Sequence, residues 1–381
     1  MQRPRPLGLR AVVAMCLACS AAFPPRAQAQ AQAPLWPFFR GTQEQTGYTT
    51  ASAPRAPHLI WSADLGGAIT STPVISADSV FVSSMSGKLA CLGLADGKLR
   101  WSFDAKSPLE ASPLYCDGTV YVGSSAGELF AVDAARGRIR WRYRAADRIA
   151  GAANRAVTPS GTLILVGSYD GLLQAVDART GARRWGYQTS NFVNGCPAVT
   201  ADGKAIFGGC DGFVHVLRVQ DGRGLARIDS GAYIAGSPAV LGKRAYIGNY
   251  SGKLMAMDIE AGSVAWSLAP EGEEPFSSSP AVGNGRVVAG ARNGTVYCTD
   301  AATGAEIWTF RTAASVAASP VVAGGVVILA AGDGTVTALE LATGKELWSY
   351  DAGAAVSGSV AVVPGRILFG TEDGRLYAIG D

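Results

Sequence analysis

Few residues of this chain have the types and spacing that catalysis or metal binding requires. It contains only two histidines, His58 and His215, and neither lies beside a serine or cysteine in a recognisable nucleophile motif. Hydrolytic triads and histidine-rich zinc sites therefore lack components. The sequence also has no Asp-x-Asp-x-Asp-Gly calcium loop and no Gly-Lys-Ser/Thr phosphate loop. We predict no catalytic residue and no metal site.

The aspartates lie mostly where turns need them. Four precede a glycine in Asp-Gly or equivalent hairpin turns, namely Asp170, Asp211, Asp333 and Asp373. Four others end an alternating apolar segment just before a second turn, namely Asp133, Asp177, Asp258 and Asp300. Aspartate side chains accept hydrogen bonds from turn backbone. We interpret these carboxylates as structural.

The turns belong to a repeat of about 40 residues. Its clearest copy runs from Asp333 to Trp348, DGTVTALELATGKELW, and holds two strands and two turns. Upstream of this stretch each copy adds a strand after a Ser-Pro pair and a Val-Tyr-Val-Gly strand. Four antiparallel strands per repeat are typical of a propeller blade. The openings number eight: Thr72-Pro73, Ser112-Pro113, Ala152-Ala153, Cys196-Pro197, Ser237-Pro238, Ser279-Pro280, Ser319-Pro320 and Ser359-Val360.

The two ends of the chain predict how the ring closes. The eighth copy stops after its third strand, at Leu376 to Asp381, whereas a strand without a blade precedes the first copy at His58 to Trp61. Pairing these two strands would complete the eighth blade and leave no open sheet edge in the ring. The sequence thus predicts an all-β, eight-bladed propeller of four-stranded antiparallel blades, closed by the N-terminal strand.

One tryptophan recurs at the same place in the fourth strand. It is present in seven copies, as Trp61, Trp101, Trp141, Trp185, Trp266, Trp308 and Trp348, and is replaced by Ala226 in the remaining one. Burying a tryptophan removes about 150 to 250 Å² from water. We interpret the seven as packing between blades.

The first 29 residues read as a secretory signal. Arg3, Arg5 and Arg10 precede an apolar run, and Ala27-Gln28-Ala29 fits a cleavage site. We therefore expect a periplasmic or secreted protein with a lead-in at 30–57, interpreted as an ordered strap, and a single propeller at 58–381. Lipid anchoring at Cys19 is the alternative. Of 33 basic and 30 acidic residues, four arginines lie in the signal, so the remainder has a charge of −1 and no basic run that predicts nucleic-acid binding.

Aligning the copies gives two columns around one mouth of the central channel. The first, three residues before each proline position, is Thr70, Glu110, Ala150, Asn194, Ala235, Ser277, Ala317 and Ser357. The second, after each Val-Tyr-Val strand, is Met85, Ser125, Tyr169, Cys210, Tyr250, Arg292, Gly332 and Glu372. Blades three and four depart most from the repeat, and departures from a self-consistent pattern often mark function. The predicted binding residues are Glu110, Asn154, Arg155, Tyr169, Asn194, Tyr250 and Arg292.

Five cysteines follow the signal, so at least one has no partner in the chain. Cys91 and Cys298 share a repeat position that holds alanine in other copies and read as small buried residues. Cys196 begins the first strand of blade four and Cys210 ends the second, nearly opposite across a hairpin. We expect either a disulfide between Cys196 and Cys210, which export permits, or two free thiols.

The Ser-Pro, Val-Tyr-Val-Gly, Asp-Gly-x-Leu-Tyr-Ala-Leu-Asp and Thr-Gly-x-x-x-Trp signatures resemble the pyrroloquinoline quinone (PQQ) repeat family from Ile60 to Asp381. The lead-in Trp36 to Gly41, WPFFRG, resembles the start of many such exported proteins. The family includes quinoprotein dehydrogenases and non-enzymatic propellers such as the BamB lipoprotein of the outer-membrane β-barrel assembly machine.

The resemblance to the dehydrogenases implies features that this chain lacks. Those enzymes have long insertions, a disulfide between adjacent cysteines, and a calcium held by Glu, Asn and Asp beside a catalytic Asp. This chain has no Cys-Cys pair and its repeats are of minimal length. We therefore predict a monomeric, non-enzymatic propeller that binds a protein or peptide through loops or a blade edge, without a cofactor. The alternative is a small quinoprotein oxidoreductase with PQQ and calcium, for which Glu110 and Arg155 would supply the charged groups.

Overall fold

Short strands of alternating or continuous apolar residues, joined by tight turns, build the protein. The computed structural model describes residues 1–2, 36–272 and 274–381. Here the strands form eight four-stranded antiparallel sheets, one of which gains a short fifth strand. Within this described part, no helix is long and apolar enough to cross a membrane. The predicted all-β, eight-bladed propeller is confirmed. Cys19 and the predicted signal, apart from residues 1 and 2, lie outside the described residues.

Two strands precede the first blade, β1 (Tyr48–Thr49) and β2 (His58–Asp64). Blade 1 consists of β3 (Val74–Ser76), β4 (Ser79–Ser83), β5 (Lys88–Gly93) and β6 (Leu99–Asp104). Blade 2 consists of β7 (Leu114–Cys116), β8 (Thr119–Gly123), β9 (Glu128–Asp133) and β10 (Ile139–Arg144). Blade 3 consists of β11 (Asn154–Thr158), β12 (Gly161–Gly167), β13 (Leu172–Asp177) and β14 (Arg183–Gln188). Blade 4 consists of β15 (Ala198–Val199), β16 (Lys204–Gly208), β17 (Phe213–Arg218) and β18 (Gly224–Asp229).

The second half of the ring repeats the same order. Blade 5 consists of β19 (Ala239–Leu241), β20 (Arg244–Gly248), β21 (Leu254–Asp258) and β22 (Ser263–Leu268). Blade 6 consists of β23 (Ala281–Gly283), β24 (Arg286–Gly290), β25 (Thr295–Asp300) and β26 (Glu306–Arg311). Blade 7 consists of β27 (Val321–Ala323), β28 (Val326–Ala330), β29 (Thr335–Glu340) and β30 (Glu346–Asp351). Blade 8 consists of β31 (Ala361–Val363), β32 (Arg366–Gly370), β33 (Arg375–Gly380) and β2.

The two ends of the chain meet in blade 8. Strand β2 pairs antiparallel with β33, with Leu59 opposite Ile379 and Trp61 opposite Ala378. The Asp381 carboxylate accepts hydrogen bonds from the backbone N–H groups of Arg55 and Ala56. The ring is therefore closed by a strand from the other end of the propeller, as predicted, and blade 8 keeps four strands.

Each recurrent tryptophan lies between its own blade and the next one. The seven indole N–H groups donate to backbone carbonyls 2.9–3.1 Å away, at Leu94, Ala134, Ala178, Val219, Ala301, Leu341 and Pro54. The Trp266 ring covers Gly304, where a Cβ would lie only 2.6 Å from the indole. The turn glycine also has a positive φ of 76°. The indole thus needs a glycine in the neighbouring blade, which explains why Thr-Gly and Trp recur together.

A second set of contacts joins the blades around the central channel. At five of the eight junctions the hydroxyl of a Ser-Pro serine accepts a hydrogen bond from the matching N–H of the preceding blade, at 2.8–2.9 Å. The donors and acceptors are Thr72 to Ser112, Cys196 to Ser237, Ser237 to Ser279, Ser279 to Ser319, and Ser319 to Ser359. Ala152 and Cys196 offer no hydroxyl at their positions. The serine of the repeat is therefore a link between blades, and blade 3 lacks that link on both sides.

The strap, residues 36–57, follows the inner strands around one end of the channel. Its backbone carbonyls accept hydrogen bonds from the N–H of the second residue of the inner strand in six blades and from the N–H of Gly365 in blade 8. The six residues are Ile75, Tyr115, Val199, Val240, Val282 and Val322. In blade 3 the side chain of Asn154 replaces this contact by donating to Gln43 O at 2.7 Å. The strap therefore touches all eight blades, and we call the end of the ring that it covers the strap face.

Arg40 fixes the strap. Its buried guanidinium donates to the carbonyls of Ser319, Pro280 and Pro320. Burial lowers the pKa of Arg40 to about 9, so the side chain still carries its charge near neutral pH. A Cβ at Gly47 would lie 2.1 Å from this guanidinium. The Arg-Gly and Thr-Gly elements of the lead-in thus have a packing role.

Replacing Trp266 by alanine should lower the free energy of unfolding by about 3 to 5 kcal/mol, because it empties the junction between blades 5 and 6. Trp266→Phe keeps most of the packing and loses the indole hydrogen bond, so its cost should be clearly smaller. Urea unfolding followed by circular dichroism measures both. An unchanged midpoint for Trp266→Ala would contradict the inter-blade role.

Ser319→Ala should cost about 1 to 3 kcal/mol, because it leaves the buried N–H of Ser279 without an acceptor. Ala152→Ser is the matched opposite change, since it offers the N–H of Ser112 the hydroxyl that the other blades have, and it should raise the melting temperature. Differential scanning calorimetry of both variants tests the link. A neutral Ser319→Ala together with a destabilising Ala152→Ser would refute it.

Candidate functional site

The central channel opens into a cavity of about 430 Å³ on the face opposite the strap face. All eight residues of the first predicted column line it, namely Thr70, Glu110, Ala150, Asn194, Ala235, Ser277, Ala317 and Ser357. Phe39 of the strap also lines the cavity. We call this end of the ring the mouth face.

The second predicted column forms a ring outside the first. The backbone N–H of each member donates, at 2.8–3.0 Å, to the carbonyl of the residue two positions before the matching first-column residue. The accepting residues are Ala68, Pro108, Arg148, Phe192, Tyr233, Pro275, Ser315 and Ala355. The turn after the second strand is therefore held against the loop that enters the inner strand. Tyr169, Tyr250 and Arg292 consequently lie on the mouth face.

Aromatic side chains occupy only one side of this outer ring. Tyr169, Phe192, Tyr233 and Tyr250, which we call the aromatic arc, belong to blades 3 to 5 and to the loops that enter blades 4 and 5. Phe192, Tyr233 and Tyr250 are exposed by 44%, 57% and 41%. Tyr169 stacks on Phe192 with ring centroids 4.7 Å apart. The opposite side of the ring has small residues at the same positions, among them Ser315, Gly332 and Ala355.

Charged and polar groups adjoin the arc at the rim of the cavity. The guanidinium of Arg148 lies 3.8 Å from the centroid of the Tyr169 ring and 4.0 Å from the carboxylate of Glu110. Asn194 Oδ1 is buried without a hydrogen-bond partner among the described residues, as are the hydroxyl oxygens of Thr70, Ser277 and Ser357. The mouth therefore combines an aromatic surface, an arginine and unsatisfied acceptors, which suits recognition of a polar or peptide ligand.

Two predicted site residues do not belong to the mouth. Asn154 lies in β11 and donates to Gln43 O and Pro197 O, each at 2.7 Å. Arg155 lies 5.7 Å from the Phe38 ring and donates to Cys116 Sγ. The four extra residues of blade 3 lengthen the hairpin between β11 and β12, at the strap face, rather than the loop at the mouth. Placing Asn154 and Arg155 at the mouth was therefore wrong, and both residues hold the strap.

Of the two alternatives for Cys196 and Cys210, the structure has the free thiols. Ala198 pairs with Ile206, so the position opposite Cys196 is Gly208 and Cys210 lies beyond the hairpin. The buried Cys196 thiol donates weakly to the carbonyls of Ala153 and Pro197. Burial raises the pKa of the Cys196 thiol well above its usual range, which makes it a packing residue rather than a nucleophile.

His215 has a structural partner at each ring nitrogen. Its Nε2 lies 3.0 Å from the Asp211 carboxylate and its Nδ1 lies 3.3 Å from the Tyr187 hydroxyl of blade 3. Burial lowers the pKa of His215, although Asp211 opposes this shift. The ring also stacks on Phe207 at 4.9 Å. His215 thus connects blades 3 and 4 and is not available as a catalytic base.

The residues at the mouth do not fit a calcium and PQQ site. The cavity is lined by two carboxylates, Glu110 and Glu372, and by the amide of Asn194, but by no aspartate. No group of three His, Cys, Asp or Glu side chains among the described residues has the arrangement of a metal site. Arg155, the expected partner of Glu110 in an oxidoreductase, lies at the strap face instead. The nearest guanidinium to the Glu110 carboxylate is instead that of Arg148, at 4.0 Å.

Three residues of this surface escaped the sequence analysis: Arg148, Phe192 and Tyr233. They stand two positions before the first column, and the same repeat alignment that gave the other columns contains them. The large size of these three side chains could have identified them, since the other copies have alanine, serine or proline at the same position. The alignment grouped its two columns at one mouth of the channel, as the structure does, but it did not include the column that carries most of the exposed aromatic area.

Comparison with known proteins agrees with the repeat architecture. Over residues 46–194, 115–275 and 260–380 the sequence matches the family described as "Outer membrane protein assembly factor BamB". No curated protein matches the chain. BamB from Moraxella catarrhalis is 21% identical, with 86% of this chain and 98% of that chain covered and a TM-score of 0.74.

Two dehydrogenases have the same architecture at lower identity. Quinohemoprotein alcohol dehydrogenase from Comamonas testosteroni is 14% identical, with 92% of this chain and 81% of that chain covered and a TM-score of 0.76. A europium-containing methanol dehydrogenase is also 14% identical, with 91% and 98% covered and a TM-score of 0.79. Such low identities show a common fold alone. The family match, by contrast, extends from the strap to the last strand, and the chain belongs to the family described as outer membrane protein assembly factor BamB.

Proposed function

We propose that this protein is an exported, non-enzymatic propeller that binds a protein or peptide partner of the cell envelope through the aromatic arc. The observation that carries the proposal is the one-sided distribution of exposed aromatic side chains on the mouth face. Tyrosine, tryptophan and arginine dominate the binding energy of protein interfaces. Phe192, Tyr233 and Tyr250 belong to adjacent blades and their loops, so a single partner can contact all three.

The strap supports an approach from the mouth face. It covers the other end of the channel with main-chain hydrogen bonds to seven blades and with the buried Arg40. A partner at the channel therefore meets the aromatic arc and the rim formed by Glu110, Arg148 and Asn194. Aromatic side chains supply contact area there, while Glu110 and Asn194 supply acceptors that select donors on the partner.

The family membership supports a role at the cell envelope. BamB from Moraxella catarrhalis belongs to proteins described as outer-membrane protein assembly factors. The signal-like first 29 residues of this chain fit export, and a monomeric propeller would present one mouth face per molecule. We propose that the mature protein works in the periplasm or outside the cell as a scaffold for a protein partner.

Photo-crosslinking in the producing cell tests the arc. With p-benzoylphenylalanine at Tyr233 or Phe192 of the full chain, we expect a discrete adduct with a protein partner. Ser315 and Ala355 occupy the same repeat position on the opposite side of the ring and are the matched controls, which should give no adduct. Identification of the adduct by mass spectrometry names the partner.

The triple variant Phe192→Ala/Tyr233→Ala/Tyr250→Ala should weaken binding of that partner at least tenfold, because hot-spot aromatics contribute about 2 kcal/mol or more each. Its melting temperature should stay near that of the unmodified protein, since the three side chains are exposed. Equal adducts at Ser315 and Tyr233, or unchanged affinity of the triple variant, would overturn the proposal.

The quinoprotein alternative has a direct test as well. Addition of PQQ and Ca²⁺ to the purified protein should produce no saturable heat in calorimetry and no change in the quinone absorbance, because no aspartate lines the cavity to act as the catalytic base. Saturable binding that Glu110→Gln abolishes would support an oxidoreductase instead. Arg155→Gln is the control, since this residue lies at the other face.

A further inference from the structure

Positive charge is concentrated on blades 2 and 3. Between residues 134 and 188 the sequence has ten arginines and three aspartates, although the chain after the signal is nearly neutral. Arg148 adjoins the aromatic arc, but five of the ten arginines lie in the outer strands of the two blades. The outer rim of the ring is therefore polarised, and its cationic part is about two blades wide.

The charge is greatest on β10, the outer strand of blade 2. Its sequence IRWRYR places arginines at positions 140, 142 and 144 with no acidic residue. Strand β14 has two arginines and no acid, whereas each of the other six outer strands has a net charge of zero or below. Every blade has an outer strand, and the one in blade 2 differs from the others by its positive charge.

Too few carboxylates lie nearby to neutralise these arginines. Arg142 and Arg144 share the single carboxylate of Glu128, at 3.7 and 3.9 Å. Arg136 and Arg140 likewise share Asp133, at 3.9 and 2.7 Å. The side chains of Arg142 and Arg144 are 70% and 71% exposed. Four guanidinium groups thus compete for two carboxylates, and half of their charge faces solvent without a partner.

The same strand offers an open main-chain edge. Strand β10 pairs with β9 on one side only, so its other side has unpaired N–H and C=O groups. A row of this kind is a template for an added strand. Arginine at the edge discourages pairing with a second cationic copy, but it favours an acidic strand. We propose that the outer edge of β10 binds an extended acidic peptide segment as a fifth strand of blade 2.

The spacing of the charges specifies the partner further. Residues two apart along a strand are about 6.8 Å apart, so Arg142 and Arg144 match carboxylates at alternate positions of an extended chain. The half-buried Trp141 and Tyr143 alternate with them. A partner with Asp or Glu at every second residue therefore gains both main-chain and ionic contacts. An anionic lipid surface would gain the charge contact but could not use the open edge.

This inference deepens the proposed protein-binding function and rests on it, but it concerns a different surface. The β10 edge lies on the rim of blade 2, whereas the aromatic arc lies on the mouth face of blades 3 to 5. A protein partner would reach both if an acidic strand of it continued around the rim. The proposals for the two surfaces can be refuted independently, because each is tested with its own variants.

Fluorescence anisotropy with labelled synthetic decapeptides tests the edge on the full purified protein. An alternating Glu-Thr peptide should bind at least tenfold more tightly than a block peptide of the same composition, in which all glutamates precede all threonines. An alternating Gln-Thr peptide should not bind. The variant Arg142→Ala/Arg144→Ala should lose at least tenfold in affinity, and Arg142→Lys/Arg144→Lys should retain most of it. Rising salt should weaken binding, because the paired charges are exposed.

N-methylation separates strand addition from simple charge attraction. Only alternate N–H groups of an added strand face the β10 edge, so methylation of either the threonine or the glutamate nitrogens should abolish binding while the other pattern is tolerated. Arg311→Ala, at the position of Arg144 in blade 6, is the matched control and should bind normally, as should Phe192→Ala/Tyr233→Ala. Equal binding of the block and alternating peptides, tolerance of both methylation patterns, or arginine-dependent binding of phosphatidylglycerol vesicles with no peptide preference would overturn the proposal.

Discussion

Closure is the constraint on which this structure depends. In a ring of eight blades every junction must be made, including the one between the two ends of the chain, because one open junction exposes two sheet faces to water. Two contacts recur to meet this requirement: an indole on a turn glycine at the outer rim, and a serine hydroxyl on a backbone N–H around the channel. The pairing of β2 with β33 completes the last blade. The strap then connects the inner strands at the strap face, so it contributes to closing the ring.

The fold was predictable because each repeat carries its own half of a junction. Trp266 and Gly304 belong to different copies, yet both positions recur at a fixed spacing, and eight copies turn a weak local pattern into a strong one. The role of Arg40 was not predictable in this way. Its acceptors at Pro280, Ser319 and Pro320 lie 240 to 280 residues away, and Arg40 itself lies outside the repeats, so no comparison among the copies reveals the contact.

The candidate site shows the same division. Repeat alignment placed Glu110, Asn194, Tyr169 and Tyr250 on the mouth face, because a column of equivalent positions must lie on one ring. It misplaced Asn154, because blade 3 has four extra residues and the alignment does not show which end of the inner strand they extend. In the structure they lengthen the hairpin between β11 and β12. Whether Cys196 and Cys210 are bonded stayed open in the sequence for a related reason. Cross-strand register decides which residues are opposite, and two positions beyond the hairpin are enough to separate the thiols.

The irregular blades are also those whose junctions are made differently. Blade 3 lacks the serine link on both sides, and blade 4 lacks the tryptophan, which Ala226 replaces opposite Gly262. Other contacts take their place: Asn154 donates from blade 3 to Pro197 O of blade 4, and Tyr187 meets the buried His215 across the same junction. Once a junction no longer depends on the repeat residues, the loops beside it are free to differ. The aromatic arc lies beside these altered junctions, so the surface that we propose for binding coincides with a local change in how the ring is closed.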